Sequence, residues 1–234
     1  MEQEWVKALS DLRRTTIVCG YYGCGKTTFS LNLARQTAGN DVTLIDLDIV
    51  NPYFRSSDYT GELEALGIRV IAPNFAGTML DIPSLNPAVS GALETGRGRM
   101  ILDAGGDDAG ATALGCFAHL IQQEAYDMLY VINQSRPLAS DPTDAARILE
   151  EIQRASRLAC TGIVNNTHWG EGTTLEMIRD SFPFAAAVAE RAGLPVRYTL
   201  ATKELAEKLQ VDAQKPGVGE ILPVSLPVRL PWQG

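Results

Sequence analysis

The chain has 234 residues, 45% of them hydrophobic and 21% charged, enough for one sizeable α/β domain with a full core. Twenty basic residues stand against 28 acidic ones, a net charge of −8, and that balance makes a nucleic-acid partner unexpected. No apolar run is long enough to span a bilayer, and the acidic start Met1-Glu2-Gln3-Glu4-Trp5 is neither a secretory nor a transit leader. Cys19, Cys24, Cys116 and Cys160 are scattered without a C-x-x-C pair, which fits a reducing cytoplasm and offers no metal site by cysteine spacing.

In chain order, Thr15–Cys19 is β-branched and reads as a strand. It runs into Gly20-Tyr21-Tyr22-Gly23-Cys24-Gly25-Lys26-Thr27, a match to the phosphate-binding pattern G-x-x-x-x-G-K-[ST]. Thr28–Arg35 then has helical apolar spacing. Strand, glycine loop and helix aim backbone N–H groups and a positive helix end at a polyphosphate. Gly20, Gly23 and Gly25 let the backbone approach the phosphates closely. Lys26 reaches the β- and γ-phosphates, and the Thr27 hydroxyl ligates Mg²⁺. Cys24 and Thr28 complete the expected nucleotide-binding stretch; Cys24 is either a thiol activated by the helix end or a small filler.

Beyond the loop, strands and helices alternate. Val42–Leu47 reads as a buried strand, Gly61–Leu66 as a helix and Ile68–Ala72 as the next strand, and Pro73–Pro87 is loop-like. A helix up to Gly96 precedes a strand over Arg99–Leu102 that ends in Asp103. Ala111–Glu124 is helical, and Met128–Asn133 is a strand. Asp141-Pro142 opens a helix to about Arg157, with Asp at the N-cap and Pro in the first turn. Cys160–Asn165 and Pro195–Thr199 are strands, Thr173–Arg191 is helical with a break near Pro183, and Thr202–Leu209 is a final helix. The proline-rich tail from Gln214 to Gly234 lacks periodicity and is expected to lie on the body as extended chain. Strands separated by such helices imply an α/β fold of three layers, a mostly parallel sheet with helices on both faces. A single domain over 1–234 is expected, its core at about 15–210, with ligands at the carboxyl ends of the strands.

Each remaining motif falls at such a strand end. Asp46 and Asp48, two residues apart in extended chain, point to one side. Beside a nucleotide they can reach Mg²⁺, through water, and an attacking water. Asp103, closing Met100-Ile101-Leu102, is placed to hold Mg²⁺ through a water. Gly106, three residues on, offers an N–H to the γ-phosphate, in a loop able to order with triphosphate and relax after hydrolysis. Asp107 and Asp108 add negative charge there, toward Mg²⁺, a partner or solvent. The amides of Asn165 and Asn166 either pair with a purine edge or are turn residues, and Asn133 is placed likewise. Trp169 follows with a ring that either stacks on a base or packs, while His119 and His168 are isolated and suggest no metal site.

On these residues the chain resembles the MinD/ParA-type (CobQ/CobB/MinD/ParA nucleotide-binding) phosphate-loop ATPases. The likeness rests on G-Y-Y-G-C-G-K-T-T at Gly20–Thr28, L-I-D-L-D-I-V-N at Leu44–Asn51 and I-L-D-A-G-G at Ile101–Gly106. V-I-N-Q-S at Val131–Ser135, V-N-N at Val164–Asn166 and A-E-R-A-G-L-P-V at Ala189–Val196 add to it. The resemblance implies a P-loop NTPase fold with ATP and Mg²⁺ as cofactors, and Lys26, Asp48 and Asp103 as catalytic residues. Asp48 would position the hydrolytic water, Asp46 would support the metal with Thr27, and Asp103 would hold it through a water. It also implies a homodimer formed on ATP binding, acting as a cytoplasmic switch on a protein or metallocofactor client, without a membrane partner.

One departure alters the expectation. The family's loop carries a lysine after its first glycine, which reaches the partner's phosphates; here that position is Tyr21, and the next, usually glycine, is Tyr22. A phenol supplies no permanent cation. Arg55, Arg97 and Arg99 are candidate replacements, and the two tyrosines either wall off a partner or pack beside the loop. Two alternatives therefore stand: a nucleotide-binding regulatory module with negligible turnover, and an ATP-dependent phosphotransferase or ligase acting on a small carboxylate, with Pro73–Pro87 lining its pocket. The acidic balance disfavours the DNA-partition members of the family. The proline-broken Leu222–Pro231 cannot be the amphipathic membrane helix of the cell-division members. By this resemblance ATP is expected over GTP; no N-K-x-D or T-K-x-D guanine reader occurs.

Overall fold

Apolar runs of four to seven residues become strands, and the amphipathic segments between them become helices. The computed structural model describes residues 3–37, 41–48, 55–72, 87–106 and 108–225. The string Ile49-Val50-Asn51-Pro52, the segment from Pro73 to the residue before Pro87, Asp107 and the tail beyond residue 225 lie outside the described residues. The elements are α1 (Gln3–Asp11), β1 (Thr15–Gly20), α2 (Lys26–Gln36), β2 (Val42–Leu47), α3 (Thr60–Ala65) and β3 (Ile68–Ile71). There follow α4 (Pro87–Thr95), β4 (Arg99–Ala104), α5 (Asp108–Cys116), α6 (Ala118–Ile121), β5 (Tyr126–Ile132) and α7 (Pro142–Ser156). The last are β6 (Gly162–Asn165), α8 (Leu175–Asp180), α9 (Phe182–Ala192), β7 (Val196–Ala201), α10 (Lys203–Leu209) and β8 (Glu220–Pro223).

Among the described residues the strands form one sheet in the order β3-β2-β4-β1-β5-β6-β7-β8, every neighbouring pair parallel. The expected three-layer α/β fold is thus observed, and the sheet is parallel throughout. Successive strand residues face opposite sides, and the core divides accordingly. Ile17, Ile45, Leu102 and Tyr130 pack with α4, α5, α7 and α9. Their neighbours Val18, Leu44, Ile101 and Leu129 pack with α1, α2 and α3. Each such side chain, fully buried, contributes roughly 1.5–3 kcal/mol relative to exposure.

The order β2-β4-β1-β5 positions the site. The chain leaves β1 for one side of the sheet, returns to insert β4 beside β1, then crosses to β5 on the other side. The crevice where direction reverses is where open α/β sheets bind ligands.

Three local differences from the sequence reading have physical causes. Helix α1 was not anticipated, although Trp5, Ala8, Leu9 and Leu12 repeat at helical spacing, and all four are buried. The indole N–H of Trp5 donates to the Pro223 carbonyl at 2.8 Å. The tail does not merely lie on the body: Glu220–Pro223 pairs with β7 as an eighth strand. Its proline, which lacks an N–H, is tolerated at a sheet edge. The predicted helix Ala111–Glu124 breaks at Phe117, whose N–H bonds back to Leu114 at 3.0 Å while its ring is buried. The Asp141 cap is as expected, its Oδ1 accepting the Thr143 N–H at 2.7 Å. No helix among the described residues is long and apolar enough to cross a membrane.

Candidate functional site

The glycine loop joins β1 to α2. Gly25 is the residue before the helix, in the left-handed region at φ 92°, a conformation that strongly favours glycine. A Cβ there would also collide with the Asn166 amide nitrogen. The first N–H groups of any helix lack intrahelical acceptors; here the N-cap residue is a glycine with no side chain to cap them, and no acidic residue occupies the first turn. The helix end therefore keeps its positive potential for an external anion.

The loop's carbonyls are held by side chains. Lys26 Nζ donates to the Tyr21 carbonyl at 3.2 Å. Arg136 Nε donates to that of Gly23 at 2.7 Å, and Asn166 Nδ2 to that of Cys24 at 2.8 Å. Anchoring C=O groups in this way orients a loop so that its N–H groups serve the ligand. On the opposite wall stands Gly106, where an added Cβ would lie 2.6 Å from Lys26 Nζ and 2.8 Å from the Tyr22 nitrogen. The Asp103-x-x-Gly106 segment therefore meets the phosphate loop.

Asp46 and Asp103 are register partners on β2 and β4, and both are buried. Each oxygen of Asp46 accepts a backbone N–H, Oδ1 from Asp48 at 3.0 Å and Oδ2 from Ser57 at 3.1 Å. Asp46 thus tethers the chain leaving β2, and burial raises its pKa, the Ser57 and Asp48 hydrogen bonds opposing. Asp103 Oδ1 accepts from Ser30 Oγ at 3.1 Å, while Oδ2 is buried without a hydrogen-bond partner among the described residues. Burial, then the neighbouring Asp46 charge, raises the Asp103 pKa from 3.8 to about 7; Lys26 and the Thr27 and Ser30 hydroxyls oppose that rise. A buried carboxylate oxygen without a protein donor, beside a first-turn threonine, fits a hydrated Mg²⁺. Among the described residues no cluster of three or more His, Cys, Asp or Glu side chains could hold a metal ion.

The other expected residues take different places. Asp48 is half-buried just past β2. Asn165 is fully buried: its Nδ2 donates to Ser181 Oγ at 2.8 Å, and its Oδ1 accepts from the Thr167 hydroxyl at 2.8 Å. Asn133 Oδ1 accepts from the N–H of Ser135 at 2.9 Å and of His168 at 3.3 Å. These amides are struts of the strand ends. Cys24 is buried, and burial pushes its thiol up, in keeping with the filler reading. Tyr21 packs against the core, whereas Tyr22 is 58% exposed. Arg99 donates to the carbonyls of Leu9 and Arg13 at 2.8 and 3.1 Å, at the amino end of β4. Arg99, and Arg97 just before it, therefore sit at the opposite sheet end from Asp103 and do not replace the missing lysine. Arg55 precedes the 3₁₀ turn Ser56–Tyr59, its N–H bonded to Asp58 at 3.0 Å.

Sequence reading missed Arg136 and set His168 aside as isolated. Arg136 lies three residues past Asn133, and only the pairing of β5 with β1 brings it to Gly23. It places a guanidinium at the loop from within the same chain. Replacing Arg136 with Ala is expected to weaken Mg²⁺–nucleotide binding by about tenfold or more, a charged hydrogen bond being worth ~1.5–3 kcal/mol. Lys at this position would not restore the planar fork, and titration calorimetry of the two variants checks both outcomes. His168, mostly buried, stands beside Gly25, where a Cβ would be 3.3 Å from its Nε2. Burial, with Arg136 nearby, lowers its pKa from 6.5 to about 4, so it is neutral at pH 7.

No protein family matches the sequence, and neither does any curated protein. Among solved structures, the chain resembles the signal recognition particle receptor FtsY from Elizabethkingia anophelis in complex with GDP, at 19% identity and a TM-score of 0.55. That alignment covers 82% of this chain and 58% of the receptor. FtsY from Mycoplasma mycoides matches at 17% identity and a TM-score of 0.53, over 83% of this chain and 64% of that one. Chloroplast FtsY from Physcomitrella patens matches at 16% and 0.53, over 80% and 58%. The chain thus spans about three-fifths of the length of these structures. At such identities the likeness is one of fold: a P-loop NTPase fold.

Proposed function

We propose that this chain is a Mg²⁺-dependent nucleoside-triphosphate switch of the MinD/ParA kind that hydrolyses the γ-phosphate. By that resemblance ATP is its nucleotide, it pairs as a dimer on binding ATP, and it acts on a protein or metallocofactor client. The observation that carries this reading is the polarity of the glycine loop. Its carbonyls at Tyr21, Gly23 and Cys24 are tied to Lys26, Arg136 and Asn166, leaving an uncapped helix end for phosphate. The GDP held by the similar E. anophelis receptor also supports a nucleotide here.

In this reading Thr27, and Asp103 through a water, would hold Mg²⁺, which would neutralise charge developing on the phosphates. Lys26 sits between the loop and Gly106 to bind the terminal phosphates. The Gly106 N–H faces the γ-phosphate, and Asp48 orients the attacking water and takes its proton. Positioning and charge stabilisation then provide most of the catalysis.

Asp48→Ala is expected to leave nucleotide affinity within about threefold and to slow phosphate release about 10²-fold, the usual contribution of a positioned general base. Calorimetry and a phosphate-release assay on the same preparations check this; unchanged release would remove Asp48 from the hydrolytic step. The tyrosine at the family's lysine position favours a second reading, a regulatory module with negligible turnover. Labelled ATP that stays bound and intact for hours in a single-turnover experiment would establish that reading instead.

A further inference from the structure

Neither account says what holds the base. The amides that sequence reading set aside for that task have other partners: Asn165 with Ser181 and Thr167, Asn133 with Ser135 and His168, Asn166 with Cys24. The chain leaving β6 offers something else. Trp169 is 65% exposed, whereas Trp5 is fully buried. An exposed indole presents a flat apolar face on which another ring can stack.

The indole stands on a built loop. The Trp169 N–H donates to Thr173 Oγ1 at 2.9 Å, and that hydroxyl donates to the Gly170 carbonyl at 2.6 Å. The Gly170 N–H donates to His168 Nδ1 at 3.3 Å, and the His168 N–H to Asn133 Oδ1 at 3.3 Å. The Gly172 N–H returns to the Trp169 carbonyl at 3.2 Å, and a Cβ on Gly172 would lie 3.3 Å from the indole Cδ1. This ring is held by its loop without being buried. The preceding residue, His168, stands against Gly25 of the phosphate loop. β6 is two strands from β1 on the same sheet, so a nucleotide laid along the carboxyl edge passes from the loop toward Trp169.

We infer that Trp169 is the platform on which the nucleotide base stacks, and that the site takes ATP and GTP with comparable affinity; this rests on the phosphate-loop reading above. Every base has a π-face, so stacking alone tolerates any base, while Asn133 and Asn165 are committed to protein partners and the Asn166 Nδ2 to the Cys24 carbonyl. Glu171, exposed in the same loop, is the carboxylate that would introduce guanine selectivity.

The test is calorimetric titration of the full chain, with Mg²⁺, by ATP, GTP and inorganic tripolyphosphate, for the parent, Trp169→Ala, Trp169→Phe and Lys26→Ala. The parent is expected to bind ATP and GTP within about threefold of each other. Trp169→Ala should weaken both about tenfold and leave tripolyphosphate unchanged, and Trp169→Phe should keep most of the affinity. ATP affinity unaltered in Trp169→Ala, or a matching loss of tripolyphosphate, overturns the platform while Lys26-dependent tripolyphosphate binding still supports the phosphate loop. A guanine preference above tenfold that disappears in Glu171→Gln overturns the unselective site. No binding of tripolyphosphate or nucleotide to the parent removes the phosphate-loop reading, and the platform with it.

Discussion

Replacing Lys26 with Met is expected to lower Mg²⁺–nucleotide affinity by about 10²-fold or more, with the fold intact. The Lys26 side chain is buried at 7% exposure, its ammonium 3.2 Å from the Tyr21 carbonyl and facing Gly106 across the crevice. A phosphate there meets a desolvated cation, and truncating one partner of such a pair costs ~2–5 kcal/mol, or about 30- to several thousand-fold in affinity. The loss reaches beyond the direct contact. Lys26 also lowers the Asp103 pKa, so without the ammonium Asp103 holds its proton more firmly and is a poorer partner for Mg²⁺. Methionine keeps the length and apolar stem of the side chain, so circular dichroism should be unchanged while calorimetry shows the lost affinity. Parent-like binding by Lys26→Met would remove the phosphate-loop assignment.

The second large effect concerns stability and has the opposite sign. In the Mg²⁺-free protein Asp103 titrates near 7 instead of 3.8, because it is buried beside Asp46. The folded state therefore binds the proton more tightly than the unfolded state. The stability this provides is fully present below pH 3.8, declines as pH rises, and is gone above about 7. Asp46, also raised, acts in the same direction. His168 opposes them, since its folded value is lowered from 6.5 to about 4, so stability is lost as pH falls through that window. The opposed slopes of Asp103 and His168 nearly cancel between about pH 4 and 6.5, so melting temperature should change little there and fall as pH rises through 7. Asp103→Asn removes the ionised form and should stabilise the Mg²⁺-free protein above pH 7 by up to ~4 kcal/mol, about three pKa units at 1.36 kcal/mol each, or roughly 10 °C. The gain should shrink toward pH 4. The same variant should lose Mg²⁺-dependent nucleotide binding, the trade of stability for function expected where a site keeps a buried charge. Differential scanning calorimetry across pH, with and without Mg²⁺, tests both halves. A melting temperature equal to the parent's at pH 8 would show that the buried carboxylate costs nothing.

Much of the site was legible because its chemistry is written in short strings. Gly20–Thr27 carries its own strand, turn and helix signals, and Asp46 and Asp103 close apolar runs whose burial follows from composition. Gly106 was readable by its distance from Asp103. Arg97 and Arg99 misled for the same local reason. They are close to Asp103 in the chain, but the four steps of strand from Arg99 to Asp103 span about 13 Å, which puts them at opposite ends of the sheet. Asn165 misled differently: an amide at a strand end looks the same in sequence whether it meets a ligand or, as here, Ser181 and Thr167.

Residues alone determined the alternation of strands and helices, the parallel sheet and the phosphate-loop pattern, since these follow from periodicity, glycine placement and cap chemistry within a few residues. Tertiary structure decided which side chains grip the loop from outside. Arg136 and Asn166 reach Gly23 and Cys24 only because β5 pairs with β1 and β6 pairs with β5. The same pairing sets His168, next in the chain to Trp169, against Gly25. Asp103 likewise acquires its raised pKa from Asp46, a neighbour supplied by the register of β2 on β4. Such contacts join residues tens to more than a hundred positions apart, and no local preference of the chain encodes which distant partner a strand end will meet.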